Sequence, residues 1–178
     1  MPWRKRVADG LTVSRVFLAF LVLWTAVSLG PAGVEVALAL LLVAATGDTL
    51  DGYFARTSRS PRQTWVGAHD VWFDILFSTC LLLFLVAAQI VPLVVAAGHF
   101  VGWMWMFHRQ HSVPNSYAVL YQAPVYLGIV LAAFSYRTRA LAWVIGWLGV
   151  MFLFARRRFF SVRVPAFVRD LREHFAGR

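Results

Sequence analysis

Charge is scarce in this chain. Asp, Glu, Lys and Arg fill only 14% of its 178 positions, where a soluble domain carries about 25%. Cysteine occurs once, as Cys80 inside an apolar run. One cysteine excludes an internal disulfide and any cysteine-based metal site, and reads as a thiol that packs. No internal repeat or low-complexity segment stands out. What fills the chain instead is apolar: 60% of residues are hydrophobic and the mean hydropathy is +0.67. A soluble globular domain is excluded on that balance. The net charge of +9 suggests nucleic acid at first sight, but the basic residues flank apolar segments and no RNA-binding signature accompanies them. Anionic lipid headgroups are the better partner.

A membrane-crossing helix needs about 20 mostly apolar residues. Six candidates follow: Leu11–Leu29, Val34–Ala55, Trp65–Val91, a fourth from Pro92 to Phe107, Ser116–Phe134 and Ala140–Phe154. The expected fold class is therefore all-α, a six-helix transmembrane bundle. Residues 1–10 read as an interfacial segment leading into a retained first span rather than a signal peptide. Residues 11–155 form the membrane domain, and 156–178 a basic tail lying against anionic lipid. With the N-terminus in the cytoplasm, 15 of the 17 Lys and Arg residues fall on the inner side; only Arg137 and Arg139 fall outside. The positive-inside rule then predicts a multi-pass protein of the inner or plasma membrane with both termini cytoplasmic.

Half of the eight acidic residues sit in one 27-residue stretch from Asp48 to Asp74. Carboxylates at membrane depth are costly and mark function, and four together repel unless they hold cations or share protons. On a helix turning about 100° per residue, Asp48, Asp51, Gly52 and Ala55 form one stripe. Gly67, Asp70, Asp74 and Ser78 form a second on the next span. A short hairpin brings the stripes face to face. Oxygen-only ligands without Cys or an organised His set suit hard cations such as Mg²⁺ or Mn²⁺. Paired hard cations clamp phosphate oxygens, and Arg56, Arg59 and Arg62 lie in the adjoining loop. The pattern points to phosphoryl chemistry at the inner membrane surface.

Asp48, Asp51, Gly52, Ala55, Arg56, Asp70 and Asp74, in that order, resemble the signature of the CDP-alcohol phosphatidyltransferase family. Leu11-Thr12-Val13-Ser14-Arg15 is similar to the Leu-Thr-x-x-Arg opening of phosphatidylglycerophosphate synthases. The resemblance implies a membrane enzyme that moves a phosphatidyl group from a CDP-lipid, CDP-diacylglycerol above all, to a small alcohol acceptor such as glycerol 3-phosphate, with release of CMP in phospholipid biosynthesis. It implies that Asp48, Asp51, Asp70 and Asp74 hold two divalent ions, Mg²⁺ or Mn²⁺, and that Asp74 is the general base. It places Gly52, Ala55, Arg56, Gly67 and Thr12 against the nucleotide or CDP-lipid, and it implies a homodimer.

The chain departs from the pattern in places. Two residues, not three, separate Gly67 from Asp70. The Pro and Lys common around the last two aspartates of the synthases are absent, and the fourth span has no Arg or Glu. Arg62, Arg109 and His108 are the candidates for the acceptor pocket. His69 reads as an interfacial or packed histidine, and the tryptophans mainly as interfacial anchors. Two other readings of the carboxylates stay open: an ion transporter, and a non-catalytic family member that binds lipid.

Overall fold

The computed structural model describes residues 3–57, 64–110, 113–136 and 139–158, with 165 and 169. Of Ala55, Arg56, Leu141 and 154–158 it describes the backbone alone. Among the described residues the chain is helical, without a strand. Six long helices match the six apolar segments: α1 (Trp3–Leu29), α2 (Val34–Thr57), α4 (Asp70–Ala87), α5 (Leu93–Gln110), α6 (Asn115–Tyr136) and α7 (Arg139–Arg158). A seventh, α3 (Trp65–Ala68), is a single turn before α4. Three helical runs are long and apolar enough to cross a membrane: Trp3–Phe54, Asp70–Ala87 and Asn115–Tyr136. The protein is membrane-embedded on that ground, and its outward faces agree. Val27, Val94 and Leu153 are among the many large apolar side chains left exposed, a surface that hydrocarbon tolerates and water does not.

The run Trp3–Phe54 doubles back on itself. Gly30 adopts φ +53, a left-handed conformation that glycine accepts without strain. Pro31 follows, in a 3-10 turn over Gly30–Gly33. Gly33 lets the two helices close up, since a Cβ there would lie 2.5 Å from Thr25 Cγ2. The end of α4 is a Schellman cap. Gln89 sits at φ 58, its N–H donates to Val86 O at 2.9 Å, and the Ile90 N–H donates to Leu85 O at 2.9 Å. These bonds use carbonyls that the helix end leaves open, and Pro92 then opens α5.

Two boundaries differ from expectation. Helix α1 begins at Trp3 and runs unbroken through residue 10. Arg4, Lys5 and Arg6 are good helix formers, so nothing stops the helix there. The third segment is not one helix from Trp65 to Val91. It bends at His69 (φ −111, ψ 11) because α3 is a capped turn of its own. Thr64 Oγ1 accepts from the Gly67 N–H at 3.2 Å and donates to Asp9 Oδ1 of α1 at 2.8 Å. Gly67 therefore does not share a helical stripe with Asp70, Asp74 and Ser78. The tail beyond Arg158 lies almost wholly outside the described residues.

The core is a three-helix unit with the others added to it. Helix α1 packs along α2 and α4, and α6 packs on α4 and α2. Val22, Leu38, Leu81, Phe84, Leu85 and Ile129 are among the deepest members of its main cluster. Helix α5 rests on α4 and α6 through an aromatic group: Phe107 lies 6.4 Å from Trp72 of α4, and Trp103 lies 6.2 Å from Tyr117 of α6. Helix α7 leans on α6 and α2, where Trp147 Nε1 donates to Thr46 Oγ1 at 2.8 Å.

Candidate active site

The three tightest helices carry the polar centre between them. Asp48 and Asp51 come from α2, Asp70 opens α4, and Asp74 lies one turn further on. Asp70 in the first turn sits where free backbone N–H groups favour a carboxylate. The bend at His69 is what starts α4 at that residue. From α1, Thr12 and Arg15 stand three residues apart and so share a face.

All four carboxylates converge on Arg15. Its Nη2 meets the α2 pair, at 2.6 Å from Asp51 Oδ2 and 3.2 Å from Asp48 Oδ1. Its Nη1 meets the α4 pair, at 2.5 Å from Asp74 Oδ1 and 2.9 Å from Asp70 Oδ1. Thr12 Oγ1 bridges the same helices, 3.4 Å from Asp51 Oδ2 and 3.1 Å from Asp70 Oδ1. The guanidinium is 2% exposed and Asp51 8%, whereas Asp74, Asp70 and Asp48 are 24%, 36% and 42% exposed. The cage is thus closed on the Arg15 side and opens past the other three aspartates. Tyr126 of α6 is near enough for the charges of Asp74 and Arg15 to act on it.

The donor set fits hard divalent cations. One oxygen each from Asp48, Asp70 and Asp74 lie within 4.8 Å of one another, a spread that a single ion with oxygen bonds of roughly 2.0–2.6 Å can span. Four carboxylates against the one charge of Arg15 leave three negative charges over, which a cation pair and a phosphate ester would balance.

The remaining candidates are less concentrated. Gly52 is half-buried on α2 beside Asp51, and Gly67 is half-buried in α3, off the aspartate stripe. The backbone of Ala55 and Arg56 continues α2. Arg62 lies outside the described residues. His108 and Arg109 are exposed in the last turn of α5, and Arg109 lies over its own helix neighbour Trp105, 4.4 Å from the ring centre. Ser78 is buried and bonds to the backbone oxygens of Asp74 and Ile75 (2.9 and 3.1 Å), so it serves its own helix and not the cage.

Arg15 is the residue that sequence reasoning left out of the site. It was counted among the inner-face cations, yet an arginine inside an apolar span demands counter-charge as surely as an aspartate does. That signal was available. A cavity of about 340 Å³ borders Arg15 between α1, α2 and α7, lined by Leu11, Leu18, Leu42, Gly47 and Trp147 among others. It is lined almost wholly by apolar atoms.

No curated protein and no solved structure matches the chain. The family model for CDP-alcohol phosphatidyltransferase matches residues 5–155, a span that takes in Arg15, the four aspartates and all seven helices apart from the ends of the first and last. Enzymes of that family are phosphotransferases for substituted phosphate groups and act in phospholipid synthesis on a CDP-alcohol. By the extent of that match, the chain belongs to the CDP-alcohol phosphatidyltransferase family.

Proposed function

We propose that the protein transfers a phosphatidyl group from CDP-diacylglycerol to a small alcohol, glycerol 3-phosphate being the first candidate, and releases CMP. The observation that carries the reading is the convergence of Asp48, Asp51, Asp70 and Asp74 from two helices on one point. Carboxylates so placed would hold two Mg²⁺ or Mn²⁺ ions. When bound, such ions neutralise the diphosphate and stabilise the leaving CMP.

The chain's own groups do the rest. Asp74 takes the proton of the acceptor hydroxyl, which requires hydrogen-bond reach and a free carboxylate oxygen. The acceptor oxygen forms its bond to the lipid-side phosphorus as the bond from that phosphorus to the CMP oxygen breaks, and CMP keeps the electron pair. Gly52 and Ala55 leave room for the nucleotide beside α2, and Arg56 meets phosphate. Gly67 borders the nucleotide from α3. Thr12 ties Asp51 to Asp70 and holds the helix pair at a fixed separation. The apolar cavity beside Arg15 gives the donor's chains a way in from the bilayer. Arg62, Arg109 and His108 remain the acceptor candidates at the cytoplasmic mouth.

The chain is read as a six-span protein of the inner or plasma membrane with both ends cytoplasmic, forming a homodimer as the family resemblance implies. Its domain runs over 11–155, flanked by an interfacial start and a basic tail. The transporter reading is the weaker one. It gives no reason for the Gly-x-x-Ala-Arg run after Asp51.

The test is CMP release by purified protein supplied with CDP-diacylglycerol and a panel of acceptors. Turnover with one acceptor, lost in EDTA and restored by Mg²⁺ or Mn²⁺, supports the reading. No CMP with any acceptor in the presence of either ion would overturn it.

A further inference from the structure

Arg15 holds a position that the transfer reaction itself does not explain. A guanidinium has two terminal nitrogens with two N–H groups each. Here each nitrogen serves one helix: Nη2 the Asp48–Asp51 pair and Nη1 the Asp70–Asp74 pair. Four donors meet four carboxylates. These contacts use up one oxygen of Asp74, the proposed base, and one oxygen each of three further aspartates that divalent ions would claim. The cage cannot keep this arrangement and also grip cations with the same oxygens.

We propose that Arg15 is a built-in counter-cation that holds the four-aspartate cage together when divalent ions are absent and gives up these contacts when they enter, so that it sets the affinity of the site for metal. The proposal rests on the divalent-ion reading of the aspartates given above. It makes Arg15 a positioning residue. Its work is to stop four like charges from forcing α2 and α4 apart, and to make metal entry an exchange of cations in place of a bare capture.

The sign of one measurement separates this role from a merely structural one. Free Mn²⁺ is titrated by electron paramagnetic resonance into purified wild-type protein, Arg15→Gln and Arg15→Lys, in detergent and without substrate. Removing a competing positive charge from within contact distance of the ligands strengthens cation binding. Arg15→Gln is therefore expected to bind Mn²⁺ about tenfold or more tightly than wild type, or about 1.4 kcal/mol. In EDTA the same variant should melt roughly 6–12 °C lower, as expected for a buried charge network that has lost a partner, and Mn²⁺ should restore most of that loss. Arg15→Lys keeps the charge, but its ammonium has three donors for four carboxylates. It should fall between the other two in both readouts, and it decides the matter alone if Arg15→Gln does not fold.

A merely structural arginine predicts the opposite sign, because loosening the cage weakens metal binding. Variants that bind Mn²⁺ no better than wild type would overturn the proposal and leave the metal reading standing. If wild type and variants all fail to bind Mn²⁺, the metal reading falls and this proposal falls with it.

Discussion

The helices that carry the aspartates and the helices that carry the aromatics are built on different terms. In the α1–α2–α4 unit, polar groups are paired across helices, and the innermost of them are buried. Arg15, Thr12 and Asp51 are all nearly inaccessible, and every one of them bonds to another helix. In α5 and α7 the polar groups are few, and large apolar side chains such as Val94, Val101, Ile145 and Leu153 face outward. Helix α5 is joined to α4 and α6 by ring contacts, such as Trp72 with Phe107 at 6.4 Å and His99 with Tyr121 at 5.0 Å. The lesson concerns division of labour. Carboxylates that must share cations need positions fixed to a fraction of an ångström, so they sit on helices locked by hydrogen bonds. A region that meets lipid needs only to be apolar and packed well enough to stay helical.

The contrast makes effects unequal, and the largest should come from the cage. Asp74→Asn keeps the shape and removes the proposed base, so CMP release should drop by about 10²–10⁴-fold, the usual contribution of a positioned acid or base. Normal turnover by that variant would move the base elsewhere.

The hinge of the tight unit comes next. Gly33→Ala puts a Cβ 2.5 Å from Thr25 Cγ2. Overpacking of this kind costs about 1–3 kcal/mol, read as a lower melting temperature in detergent. Unchanged melting would mean that α1 and α2 have more slack than their spacing indicates.

Thr64→Ala is smaller. It removes the cap of α3 and the bond to Asp9, a loss of about 1 kcal/mol for the cap alone. Because α3 sets where α4 begins, the variant should also raise the KM for donor more than a plain loss of stability would. A variant with wild-type melting and wild-type KM would show that α4 starts at Asp70 without help from the cap.

Val94→Ala on α5 should be nearly silent. The side chain is 80% exposed and substitutions away from packed features fall within about 0.5 kcal/mol. A large effect there would erase the contrast between the two regions.

Much of this was legible from the residues. The six apolar segments became six long helices because hydrophobic length alone specifies a helix in a bilayer, where every backbone group must be satisfied within the segment. The break at Gly30 came from a residue type that cannot continue a helix without cost, whereas α4 ends at Ala87, ahead of Pro92, where Gln89 takes the left-handed conformation. The bend at His69 was not legible as a break, because Gly67 just before it was read as part of a helical stripe with Asp70 and Asp74. It follows from Thr64 capping one turn and reaching Asp9 on a distant helix. Arg15 was visible as a residue but not as a member of the site, because no linear spacing relates position 15 to positions 48, 51, 70 and 74.

Composition and spacing determined that this chain is helical, lies in a membrane and gathers half of its acidic residues in one stretch, because burial cost and helical periodicity act on neighbours in sequence. Which cation-bearing side chain those acids would face was decided only when α1 came to lie between α2 and α4. Coulombic pairing depends on distance in space, and the guanidinium that satisfies all four carboxylates arrives from 33 to 59 residues away along the chain.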